Sequence, residues 1–253
     1  MAHDVATWLK FTEKLLKIGY ALFNDRERLI TEKGASDPSV LVITLLARSI
    51  SNVRGVVLLV REGLVVEART LVRCIFENMF LVGGLVTEGD AFVEEMFHDE
   101  LASRKLRGKF ILDRPMEDKK FQDRLRSHIE QMNERYPRTK LLTPRQASGR
   151  SPLTNNYLFY SLLSSDAAHP SMSALRRHIV VDNETLRGID VAPKANQEEL
   201  ADTVNMACHA FIGVLAGVNQ MLPGTSANDR IIKEVFVEYQ VLAGIEHPRS
   251  EHH

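Results

Sequence analysis

Arg69, Arg73 and Glu77 stand in line at four-residue steps inside an otherwise apolar stretch. On a helix they share one face. Arg73, with Arg48 of the preceding apolar stretch, suits the neutralisation of phosphate, and Glu77 would orient Arg73. Further along, Tyr160 and Ser164 are one helical turn apart, as are Ser165 and His169, and Pro170 forces His169 out of helical geometry. An imidazole at a helix C-terminus sits at the negative end of the dipole, which favours the protonated ring and suits an acid, a base or a phosphate contact. Upstream, Thr44, Arg48, Ser51, Asn52 and Gly55 fall in one narrow arc of a helix otherwise filled by Val, Leu and Ile. Each feature also has a plainer explanation: a solvated face, a structural Arg73–Glu77 pair, a histidine capping the last carbonyls. Arg before Glu at this spacing opposes the helix dipole, so support of the helix itself is a poor reason for that pair. The candidate site is therefore His169 and Glu77 as catalytic groups, with Arg48, Asn52, Arg73, Tyr160 and Ser164 binding the ligand.

Helices must position these residues. Apolar residues at three- and four-residue steps predict an amphipathic helix over 5–30. Ser36-Asp37-Pro38 offers a cap and a first-turn proline for a second helix reaching Arg61. Gly63 breaks the pattern, and a third helix runs from Leu64 to about Thr87 before Glu88-Gly89. The short connection favours an antiparallel hairpin, whose polar seams would face one another or line a cleft. Asp90 is read as the cap of a fourth helix closed by Pro115, and a mostly charged fifth over 117–135 contributes little to the core. Residues 136–155, rich in Pro, Gly, Ser, Thr and Arg, read as a long mobile loop whose basic groups (Arg138, Lys140, Arg145, Arg150) are either solvated or an anion-binding flap. A sixth helix spans 157–168, a helical turn 172–177, a β-hairpin 178–192 about Asn183-Glu184, and closing helices 197–222 and 227–243, separated by Pro223-Gly224. The expectation is an all-α single domain over 1–245, a bundle of about eight helices with one short β-hairpin, followed by a disordered tail, 246–253, whose histidines resemble a purification tag.

Composition narrows the function classes. Of 253 residues 44% are hydrophobic, enough for a real core. Lys plus Arg (32) nearly equals Asp plus Glu (33), so no global field recruits nucleic acid or anionic membrane, and such binding needs a local patch. Cys74 and Cys208 sit in apolar helical patterns, as small hydrophobes in a reducing compartment. With no export signal at the N-terminus, a cytoplasmic protein is expected. The most apolar stretch, 206–222, contains His209, Asn219 and Gln220 and reads as a buried core helix rather than a membrane span. Phosphate-loop, dinucleotide, nucleophile-elbow, HExxH and CxxC signatures are absent, and no cofactor is expected. Glu95-x-x-His98 has the spacing of a di-iron ligand pair, with Asp166-x-x-His169 as an imperfect partner, which gives a minor metal reading.

LVRCIFE (71–77) and YSLLSSDAAHPS (160–171) resemble the bacterial family of unknown function DUF5677, in which an Arg-x-x-x-Glu helix and a later Tyr/Ser-His-Pro segment recur. The resemblance covers residues 40–222 and implies a helical fold but no established reaction. Some such families look similar to the HEPN ribonucleases, whose Arg and His have four to six residues between them. That signature is missing: three residues separate Arg124 from His128, and one separates Arg176 from His178. The leading expectation is binding of a phosphate-bearing ligand or RNA at an Arg/Glu/His seam, in the form of a HEPN-like ribonuclease if catalytic. The alternative is a non-enzymatic scaffold, a homodimer, with a buried Arg–Glu network.

Overall fold

The computed structural model describes residues 4–24, 32–115, 117–168, 171–182, 185–222 and 226–245. Among them the chain forms ten α-helices, seven of them of 17 residues or more, and one two-stranded antiparallel hairpin. The all-α bundle is as the sequence predicts.

Helix α1 (Val5–Asn24) buries Trp8, Phe11, Leu15 and Leu22 at helical spacing. The predicted continuation to residue 30 lies outside the described residues. Asp37 caps α2 (Pro38–Arg61) by accepting from the Ser39 N–H, and Pro38 occupies the first turn, where its missing N–H costs nothing. Gly63, at φ +74°, turns the chain into α3 (Val65–Glu88). These two helices pack as the predicted hairpin, with α9 (Gln197–Met221) laid across both. Helix α3 is the axis of the molecule. Ile75, Phe76 and Phe80 on it have no exposed surface, and it touches α2, α4, α6, α7 and α9. Truncating a side chain such as Phe76 costs about 3–5 kcal/mol. By length and composition α2, α3 and α9 could each cross a membrane; here they bury one another.

Gly89, at φ +55°, ends α3 and precedes α4 (Asp90–Leu112). Asp90 does not cap that helix: it is the first helical residue and pairs with Lys33. The buried Phe92 ring lies against Gly84, where a Cβ would collide with it. Helix α5 (Lys119–Arg135) buries no residue, as its charge content predicts. The segment after it is more ordered than a mobile loop. It holds α6 (Pro144–Ser148), closed by a Thr143–Gln146 capping box and packed on α3, and a 3-10 turn at Thr154–Asn156. Helix α7 (Tyr157–Leu163) widens into a π-helical turn, Ser164–Ala168. Then come α8 (Met172–Arg176) and strands β1 (Ile179–Asp182) and β2 (Thr185–Ile189), paired from Ile179↔Ile189 to Asp182↔Thr185. The hairpin's Asn183-Glu184, the Pro223-Gly224 break before α10 (Ser226–Leu242) and the tail 246–253 fall outside the described residues.

Candidate functional site

Four of the predicted site residues converge. Arg73 Nε donates to Ser164 Oγ (2.8 Å) and its Nη2 to the Tyr160 hydroxyl (2.9 Å), while Nη2 also lies 2.9 Å from Glu77 Oε1. The Tyr160 hydroxyl in turn donates to Glu77 Oε1 (3.1 Å). The guanidinium carbon stands 5.0 Å from the Tyr160 ring centroid, so the ring face adds a cation–π contact. Helix α3 supplies Arg73 and Glu77; α7 and the first residue of its π turn supply Tyr160 and Ser164. Tyr160 is held by its own packing against Phe80 and Tyr157.

Burial works against the charge on Arg73, yet the hydrogen bond to Tyr160 and the fields of Glu77, Tyr160 and Cys74 outweigh it, raising its pKa. Burial likewise pushes the Tyr160 phenol above its ordinary value despite the hydrogen bond from Arg73. At neutral pH the cluster therefore holds a fixed cation beside a protonated phenol. Arg73 Nη1 makes no hydrogen bond to a described residue, and the side chain is 23% exposed.

One turn earlier on α3 stands a second network. Arg69 Nη1 binds Asp166 of the π turn and lies 3.7 Å from Glu199 of α9, and Arg69 Nε donates to Thr203 Oγ1 (3.1 Å). Arg177 reaches the same two carboxylates: Nη2 is 3.2 Å from Asp166 Oδ2 and Nη1 is 2.7 Å from Glu199 Oε1. Each carboxylate thus bridges both guanidiniums in a closed, neutral square. Burial opposes the charge on Arg177, but its hydrogen bond to Glu199 and the field of Asp166 hold its pKa above the usual arginine value. Thr70 also donates to the Ala167 carbonyl (3.3 Å). The π turn is tied to α3 at Ser164, Asp166 and Ala167.

Arg48 and Asn52 do not join. Gly55 packs on Leu71, and Ser49 accepts from Asn78 (3.0 Å), so α2 meets a face of α3 about 150° round from Arg73. Thr44, Arg48 and Ser51 are exposed instead, and Asn52 keeps a buried Nδ2 with no hydrogen-bond partner. The α2 arc is a separate surface, and the expected convergence of the two seams is corrected accordingly. His169 lies outside the described residues. Among those described, no group of three or more His, Cys, Asp and Glu is placed to hold a metal. Glu95 pairs with Arg150 (2.5 Å), which also approaches Glu88, and Asp166 is taken up by arginines rather than by a metal-ligand motif.

Sequence reasoning missed Asp166, Arg177, Glu199 and Thr203 as partners of Arg69. The available signal was Arg69 itself, a cation on a largely apolar helix that demands carboxylates from elsewhere.

An all-α bundle with an Arg-x-x-x-Glu helix docked on a Tyr/Ser helix defines the class. Residues 39–186 match the family of unknown function DUF5677, and the chain belongs to that family. The matched stretch contains all four residues of the Arg73 cluster. No curated protein and no solved structure matches the chain.

Proposed function

We propose that the Arg73–Glu77–Tyr160–Ser164 cluster binds a phosphate ester, and that its ligand is a nucleotide or RNA. One observation carries the reading: Arg73 is held by three partners while Nη1 donates to no described residue and the side chain stays partly exposed. A preoriented guanidinium with donors to spare pays little ordering cost when an anion docks. The adjoining π turn supports the reading, because such turns concentrate at functional sites. His169, five residues beyond Ser164, completes the site as acid or base. If RNA is cleaved there, His169 takes the 2′-hydroxyl proton as the 2′-oxygen attacks phosphorus, and Arg73 stabilises the charge on the phosphorane. The P–5′-O bond then breaks, the 5′-oxygen takes a proton from water, and a 2′,3′-cyclic phosphate is left. The protein acts in the cytoplasm in this reading, as a homodimer.

Calorimetric titration with nucleoside phosphates and gel assays of RNA cleavage test it. Arg73→Ala and His169→Ala are expected to abolish binding or cleavage while melting within a few degrees of the parent. Parent protein that neither binds nucleotides nor cuts RNA, or variants indistinguishable from it, sinks the proposal.

The neutral Arg69–Asp166–Arg177–Glu199 square favours a second reading, in which the polar seam is a structural latch of a non-enzymatic interaction protein. Under that reading Arg73→Ala and Glu77→Ala chiefly lower stability, and unchanged melting temperatures in both tell against it.

A further inference from the structure

A near-neutral total hides a segregation of charge. Between residues 101 and 140 twelve Lys and Arg stand against six Asp and Glu, an excess of six positive charges, and the rest of the chain carries a net of minus seven. This stretch is the second half of α4, all of α5 and the segment that follows. Core packing does not account for its composition, since α5 buries nothing. Ion pairing does not either: Lys109, Lys119, Lys120 and Arg138 are exposed and form no ion pair among the described residues. Lys119 and Lys120 occupy the first turn of α5, where the helix dipole disfavours cations; Asp118 caps that end, but no acid stands within the turn itself. These lysines cost the isolated helix stability, which calls for a reason outside it.

Between α4 and α5 lies a groove of about 420 Å³, lined by Lys105, Lys109, Arg126 and Asn133 with a single acid, Asp113. Exposed aromatics accompany it. Phe110 is 60% exposed, with the Arg114 guanidinium 3.4 Å from its ring centroid, and Phe121 is also exposed. Cations that track a strand, interleaved with exposed rings on which bases or guanidiniums stack, are what single-stranded nucleic acid requires. A lipid surface fits less well, because it needs a continuous apolar face to insert. Helix α5 spends its Leu125 and Ile129 stripe on Gly108 of α4.

We infer that the α4–α5 arm is a docking surface for single-stranded nucleic acid, the groove taking the sugar–phosphate backbone and Phe110 and Phe121 the bases. The arm does not depend on the Arg73 cluster binding anything; if both hold, it presents the strand from which that cluster takes its phosphate ester.

Fluorescence anisotropy with a labelled 20-nucleotide single-stranded RNA tests this on the full chain. Contact with about four phosphates makes affinity fall about 50-fold between 50 and 200 mM salt. Lys109→Glu with Arg126→Glu, and separately Lys119→Glu with Lys120→Glu, are each expected to weaken binding at least about tenfold and to flatten the salt dependence. All four side chains are exposed, and unchanged circular dichroism confirms folding. Both arm variants should still bind a nucleoside monophosphate like the parent in calorimetry, which separates failure of the arm from failure of the cluster. The inference is overturned if the parent binds no RNA, if both reversals bind like the parent, or if anionic phospholipid vesicles are bound through the arm in preference to RNA.

Discussion

Asp166→Ala removes the carboxylate shared by Arg69 and Arg177, and its cost can be worked from the exposure of the groups it leaves. The two arginine side chains are 14% and 21% exposed, between a surface pair worth about 0–1 kcal/mol and a fully buried pair whose rupture costs about 3–5 kcal/mol. Glu199 remains 2.7 Å from Arg177 and 3.7 Å from Arg69, which limits the loss. A destabilisation of about 2 kcal/mol is expected. For a chain of this size that lowers Tm by about 4–8 °C. Equilibrium urea unfolding should show the midpoint falling with an unchanged slope. Arg69→Leu placed in the Asp166→Ala background should recover part of the loss, because it removes a cation left short of a partner. A loss under about 0.5 kcal/mol, or strict additivity of the two changes, refutes the closed-square account.

His209 packs among Phe76, Phe159 and Tyr239, with Nε2 2.6 Å from Asn156 Oδ1, and burial lowers its pKa. Below the ordinary histidine value of about 6.5 the unfolded chain takes up a proton that the folded one refuses. Stability should therefore fall as pH drops from there towards the folded pKa, and urea midpoints at pH 7.5 and 5.5 should differ less in His209→Gln than in the parent. Burial pushes the Cys208 thiol up to about 12, whereas Cys74 is partly exposed. A thiol reagent at pH 8 should label one cysteine per native chain, and mass spectrometry should place it at residue 74. Gly84→Ala sets a methyl against the buried Phe92 ring and should cost about 1–3 kcal/mol in thermal unfolding.

Much of the fold was written in local punctuation. Asp37-Pro38, Gly63, Gly89 and Pro115 bound helices through backbone rules that need no tertiary information, and the described ends fall within three residues of them. Thr143-x-x-Gln146 was legible too, as a capping box, but the Pro and Gly content around it masked a five-residue helix. Within the site, Arg73 and Glu77 could be paired by spacing, and Tyr160 with Ser164 likewise. That the two pairs meet depends on contacts across 83 and 91 positions of chain. Arg48 and Asn52 went astray because periodicity groups residues on a face without saying which neighbour the face meets. Close packing of Gly55 on Leu71 decides that, and no pattern in one helix encodes it.

The π turn at Ser164–Ala168 can also be read as a matter of counting. It accommodates more residues per turn than an α-helix. Deleting one residue there would restore α-helical winding and swing everything beyond it by about 100° about the axis. With Ser165 removed, Tyr160 would keep its hydrogen bond to Glu77, while Asp166 and Arg177 would swing together away from Arg69 and Glu199. The two polar clusters are geared together through chain length, so a deletion that changes no site residue would still uncouple them.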